Sequence, residues 1–132
     1  MRKQVKDFMS TPVITAKGEN SVIEVRALMK DQGINSIPII SYSKDTLDTE
    51  MIIRGIVTTT DMNRDVQEST TVEDVMTSSR VHVVHVNSSA NAAAKMMLRH
   101  DVHHMVVMDE GNIVGMISSL DFVKLVAEYS LE

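Results

Sequence analysis

Thr58 and Asp61 close the stretch GIVTTTD, Ser118 and Asp121 close GMISSLD, and the two stretches lie 60 residues apart. A hydroxyl followed at the third position by a carboxylate marks a helix N-terminus. The hydroxyl caps a backbone N–H and the acid faces the positive end of the helix dipole. The same arrangement has a second use. A strand that turns into a helix at a hydroxyl residue exposes N–H groups of the kind that bind phosphate. The Thr58 or Ser118 hydroxyl would add a donor to a phosphate oxygen, and the carboxylate of Asp61 or Asp121 would grip a ribose diol. Arg64 and Lys124 follow one helical turn beyond each aspartate. Each either neutralises phosphate or is a solvated cation on a helix face.

Both stretches are preceded by the same succession of elements, so the repeat is far longer than the motif. VKDFM from Val5 matches VEDVM from Val72, and each leads into a β-prone run, PVIT from Pro12 and RVHVVHV from Arg80. A capped helix follows. Ser21 and Glu24 form an S-x-x-E box ahead of Val22, Val25, Leu28 and Met29, with Gly33 as the terminating glycine. In the second copy Ser88 or Ser89 caps a helix whose stripe is Ala92, Ala93, Met96 and Met97. The apolar runs SIPII from Ser36 and HMVVM from His104 predict buried strands. A further strand, MIIRGIVT or IVGMIS, then leads into a helix at the hydroxyl residue. Each half thus predicts β-α-β-β-α, with units over 1–66 and 67–132 and the polar DVQESTT from Asp65 as the linker. A unit this small buries too little surface to be stable alone, so the expectation is an α+β fold whose two units pack through their sheets about a pseudo-two-fold axis.

The composition narrows what the repeat can do. With 43% hydrophobic and 23% charged residues the chain is globular, and a net charge of -5 gives no footprint for nucleic acid or an anionic membrane. Local N–H groups still allow a small anion. The absence of cysteine removes disulfides, thiolate catalysis and cysteine zinc sites, and fits a cytoplasmic protein. No apolar segment follows the basic N-terminus as a signal peptide requires, and none approaches the roughly 18 residues of a membrane span. Neither a nucleophile elbow, a Walker loop nor H-E-x-x-H occurs, which points away from an enzyme.

The duplicated unit, the paired lead-ins, INSIPII and the two G-h-h-[ST]-x-x-D motifs together resemble a tandem, stand-alone pair of CBS domains, from about Val5 to Tyr129. The resemblance implies a regulatory module that binds AMP, ADP, ATP or S-adenosylmethionine in clefts between the two domains. It also implies pairing into a homodimer through helices, and an output in an unknown regulated protein. Carried over by position, Asp61 and Asp121 match the ribose-binding aspartate and Thr58 and Ser118 the phosphate-side hydroxyl. Ile37 and Pro38 flank adenine in the first copy, His104 and Met105 in the second. Thr11, Val13 and Val83, in the early strands, supply walls for the base. The second copy departs from the pattern, having Met105-Val106 where the first has Ile37-Pro38.

Three other features have two readings each. The five histidines, His82, His85, His100, His103 and His104, all fall in the second half. HDVHH has metal-like spacing only on a continuous helix, whereas a helix ending near His100 would put His103 and His104 on opposite faces of a strand. The expectation is therefore no metal and no resident cofactor, with a divalent-metal sensor as a third function. The 11 methionines either fill irregular core gaps or form an adaptable partner surface. The connection Ser41 to Glu50 either lids a cleft, touches a partner or is a mobile loop. The principal alternative to nucleotide sensing is a ligand-free dimerisation module.

Overall fold

The structure is a computed structural model that describes residues 2–43, 50–63, 65–79 and 81–128. The chain folds as two compact units, a central one, Ile14–Val81, and a terminal one made of Met1–Val13 with His82–Glu132. Repeats and compact units are thus cut at different places. The lead-in of the first repeat belongs to the terminal unit.

The central unit contains β1 (Ala16–Lys17), α1 (Val22–Gln32), β2 (Ser36–Tyr42), β3 (Met51–Thr58), α2 (Thr59–Met62) and α3 (Val72–Val75). β1 runs parallel to β2, and β2 antiparallel to β3, giving a three-stranded sheet. The early strand lies beyond the expected PVIT run, at Ala16–Lys17, because that is where the chain reaches the β2 edge opposite Ile39 and Ile40. Ser21 caps α1 by accepting from Glu24 N at 3.1 Å, and Gly33 ends it at φ 65°, a left-handed value that a side chain disfavours. Val22, Val25 and Met29 on α1 join Ile37, Ile39, Val57, Met62 and Val72 in one core.

The terminal unit repeats this plan with a helical turn at Val5–Asp7, β4 (Val83–His85), α4 (Ala90–His100), β5 (His104–Asp109), β6 (Asn112–Ser118) and α5 (Ser119–Glu128). β4 is parallel to β5, and β5 antiparallel to β6. The β5–β6 turn needs only Glu110 and Gly111, both at positive φ, the geometry of a tight two-residue hairpin. Ser89 caps α4, accepting from Ala92 N at 3.0 Å. The buried stripe of α4 is Ala90, Ala93 and Met97, with Met96 half-buried, while Ala92 is exposed. This corrects the expected stripe by one position: Ala92 sits on the solvent side of a capped helix whose phase is set by Ala93 and Met97. Val5 joins Val84, Ala93, Met97, Met105, Val107 and Ile117 in this unit's core.

Each lead-in packs on the other repeat's motif strand. Ser10 and Met116 exchange backbone hydrogen bonds of 2.8 and 3.2 Å, and Thr77 and Ile56 exchange two of 2.9 Å. The glycines of the motif make this approach possible. A Cβ on Gly55 would meet Met76 Sδ and Thr77 O, each at 2.8 Å, and one on Gly115 would meet Met9 Sδ at 2.5 Å. The register also slips at equivalent places, between Ile39 and Ile40 opposite β3 and between Val107 and Met108 opposite β6. The bulge therefore belongs to the duplicated unit.

Candidate functional site

In the central unit, β2 and β3 bring the expected residues to one sheet end. Ser36 lies opposite Thr58, Ile37 opposite Val57 and Pro38 opposite Ile56. The turn into α2 is held by Thr59 N, which donates to Asn35 O at 3.0 Å. Asp61 Oδ2 accepts from Thr58 N at 2.9 Å and from Thr58 Oγ1 at 3.1 Å, while Asp61 N approaches Thr58 Oγ1 at 3.4 Å. Thr58 and Asp61 are both half-buried. Arg64 lies outside the described residues.

The terminal unit places its counterparts in the same way. His104 lies opposite Ser118 and Met105 opposite Ile117, and Ser119 N donates to His103 O at 2.9 Å. Asp121 Oδ2 accepts from Ser118 N at 2.8 Å, and both residues are half-buried. Lys124 is exposed on α5 one turn further on. Val83 is 47% exposed and pairs with Val106, while Thr11 is exposed and Val13 half-buried just past the Ser10 bridge to β6. Thr11 and Val13 therefore accompany Ser118 and Asp121 within this unit, although they belong by sequence to the first repeat.

Carboxylate caps alone do not single out these aspartates. Asp7 accepts from Gln4 N at 2.9 Å and Asp74 from Thr71 N at 3.2 Å, with Thr71 Oγ1 also 3.2 Å away. Asp7 and Asp74 are exposed, whereas Asp61 and Asp121 are half-buried at strand-to-helix turns. Among the described residues, Oδ1 of Asp61 and Oδ1 of Asp121 accept no hydrogen bond, since the contacts of both carboxylates run through Oδ2. Each carboxylate thus has one oxygen engaged by the cap, and a carboxylate oxygen can accept from a hydroxyl.

Ile37 and Met105 have no exposed surface and belong to the two cores, and Pro38 is fully buried. The Ile37 and Met105 side chains, expected beside a ligand, are instead core groups with no surface to present. Asn35 and His103, whose carbonyls fix the turns, were missed by motif reading. Their signal is positional only: each lies immediately before the strand that faces the motif. His82 and His100 stack with ring centroids 4.1 Å apart, and His85 Nε2 lies 3.7 Å from Asp109 Oδ1. Among the described residues, no three of the metal-ligating side chains converge. No helix among them is long and apolar enough to cross a membrane.

The family model for the CBS domain matches residues 5–68 and again residues 72–128. The chain belongs to the CBS domain family. Inosine-5'-monophosphate dehydrogenase of Mycobacterium tuberculosis (strain ATCC 25618 / H37Rv) is 30% identical over 125 residues, 94% of this chain but only 22% of that protein. The CBS pair therefore spans about a fifth of the length of that relative. The CBS domain-containing protein YhcV of Bacillus subtilis (strain 168) is 28% identical over 121 residues, 86% of this chain and 79% of that one. Among solved structures, the CBS domain pair of protein MJ0100, in complex with 5'-methylthioadenosine and S-adenosyl-L-methionine, superposes with a TM-score of 0.80. It is 26% identical, over 97% of this chain and 98% of that one.

Proposed function

We propose that this CBS pair is a regulatory module, not an enzyme, that binds an adenosine-containing ligand at its two strand-to-helix turns and signals its occupancy to a partner protein. The observation that carries the proposal is the half-buried carboxylate repeated in both units, which caps its turn through Oδ2 and, among the described residues, accepts no hydrogen bond through Oδ1. Asp61 and Asp121 hold ribose hydroxyls, and the Thr58 and Ser118 hydroxyls meet phosphate, with Lys124 and Arg64 as the cations beyond. AMP, ADP, ATP and S-adenosylmethionine share the adenosine this geometry addresses. The adenosyl ligands of the MJ0100 pair support that class. A ligand that favours one conformation of the module shifts any partner that prefers the same one.

The second reading is a ligand-independent cytoplasmic homodimer. Leu98, Leu120, Val123 and Val126, between 50% and 83% exposed on α4 and α5, favour it. A calorimetric titration of the full chain against AMP, ADP, ATP, S-adenosylmethionine and GTP separates the two. Saturable heat with an adenosine compound, and less with GTP, is expected. A dimer that binds none of the five establishes the second reading in its place.

A further inference from the structure

The two strand-to-helix turns are copies in sequence but differ in how they use their hydroxyls. In the central unit the Thr58 hydroxyl is engaged within the turn. Its Oγ1 donates to Asp61 Oδ2 at 3.1 Å and faces Asp61 N at 3.4 Å. A hydroxyl has one hydrogen to donate, and here it goes to the carboxylate. In the terminal unit Asp121 Oδ2 accepts from the Ser118 N–H, and among the described residues the Ser118 hydroxyl makes no hydrogen bond. The exposed cap at Thr71 supplies a reference. There Thr71 Oγ1 donates to Asp74 Oδ2 at 3.2 Å, so a threonine hydroxyl closed onto its own carboxylate is an ordinary feature of a cap in this chain. Thr58 follows that pattern and Ser118 departs from it.

The helices behind the two turns differ as well. α5 runs from Ser119 to Glu128, 10 residues, whereas α2 has 4, Thr59 to Met62, and stops before Arg64. Peptide dipoles add along a helix, so the N–H end of α5 favours an anion more than the end of α2 does. Lys124 stands on α5 itself, exposed and one turn beyond Asp121. Helix length, a cation on the helix and a hydroxyl not engaged by its carboxylate all favour negative charge at the terminal turn. The groups assigned to ribose do not differ in this way. Both carboxylates are half-buried, and both accept from the N–H of the hydroxyl residue, at 2.9 Å in the central turn and 2.8 Å in the terminal one. The asymmetry therefore concerns what adenosine carries at its 5' position. A phosphate at the central turn must first draw the Thr58 hydroxyl away from Asp61, whereas at the terminal turn the Ser118 hydroxyl has no such bond to lose.

We propose that the two turns sort adenosine ligands by their 5' group. The terminal turn, through Ser118, Lys124 and the N-terminus of α5, prefers a phosphorylated ligand, and the central turn gives phosphate no comparable advantage. This division rests on the nucleoside reading above. The test titrates the ¹⁵N-labelled full chain with AMP and, in parallel, with 5'-methylthioadenosine, which keeps the adenosine and lacks the phosphate. Amides of Ser119, Leu120 and Asp121 report on the terminal turn, and those of Thr59, Thr60 and Asp61 on the central one. AMP should saturate the terminal amides at a concentration at least about tenfold below the central ones, and 5'-methylthioadenosine should show no preference of that size. Ser118→Ala should remove most of the advantage of AMP over 5'-methylthioadenosine at the terminal turn, and Lys124→Gln should reduce it several-fold. Equal filling of both turns by AMP, the reverse order, the same preference with 5'-methylthioadenosine, or an undiminished advantage in Ser118→Ala would overturn the division and leave the nucleoside reading standing. Binding of neither compound would overturn both.

Discussion

Gly115 of β6 and Met9 of the first lead-in lie so close that a Cβ on the glycine would stand 2.5 Å from the methionine sulfur. The partners are more than a hundred positions apart in sequence. The equivalent approach joins Gly55 to Met76 and Thr77, so each motif strand receives the lead-in of the other repeat.

The two glycines should therefore differ in their tolerance of a methyl group. At Gly115 the nearest atom is the end of a flexible side chain; at Gly55 the backbone oxygen of Thr77 is equally near, at 2.8 Å. Gly55→Ala should cost about 2–3 kcal/mol and Gly115→Ala about 1–2 kcal/mol. Met9→Ala should recover part of the loss in Gly115→Ala, whereas Met76→Ala should recover little in Gly55→Ala. Urea unfolding of the four single and two double variants checks this.

The face of α4 gives a second prediction. Ala92 is exposed and Ala93 is in the core, one residue apart. Ala92→Glu should stay within about 0.5 kcal/mol of the parent. Ala93→Glu buries an unpaired carboxylate and should lower stability by about 3 kcal/mol or abolish folding. Thermal unfolding followed by circular dichroism distinguishes the pair.

Core truncation gives a third. Met62 is 2% exposed and Met105 fully buried, one in each core. Met62→Ala and Met105→Ala should each cost about 2–5 kcal/mol, the spread reflecting how far each site collapses. Denaturant midpoints at constant slope measure it.

Much of this architecture is legible in the sequence because its signals are local. SIPII and HMVVM are apolar runs that become β2 and β5, and the caps Ser21, Ser89 and Thr58 sit where their side chains can reach backbone N–H groups three residues on. The exchange of lead-ins is not local. Gly55 and Gly115 signal a close approach, but nothing in the pattern names Met76 or Met9 as the neighbour. β1 is two residues long and exists only through its pairing with β2, so no periodicity marks it. Spacing alone also cannot separate Asp61 and Asp121 from Asp74, which ends an equally good T-x-x-D. Burial separates them, and burial comes from the strand that precedes the turn.

That distinction leads to the most direct measurement. Asp61, Asp121 and Asp74 all cap a helix, so replacing any of them with alanine should cost about 1 kcal/mol of stability. Calorimetric titration of the three variants with the adenosine ligand that the parent binds should show at least about a tenfold loss of affinity, or loss of one site, in Asp61→Ala or Asp121→Ala. Asp74→Ala should bind as the parent does. Parent-like binding in both Asp61→Ala and Asp121→Ala would contradict the claim that these carboxylates hold the nucleoside.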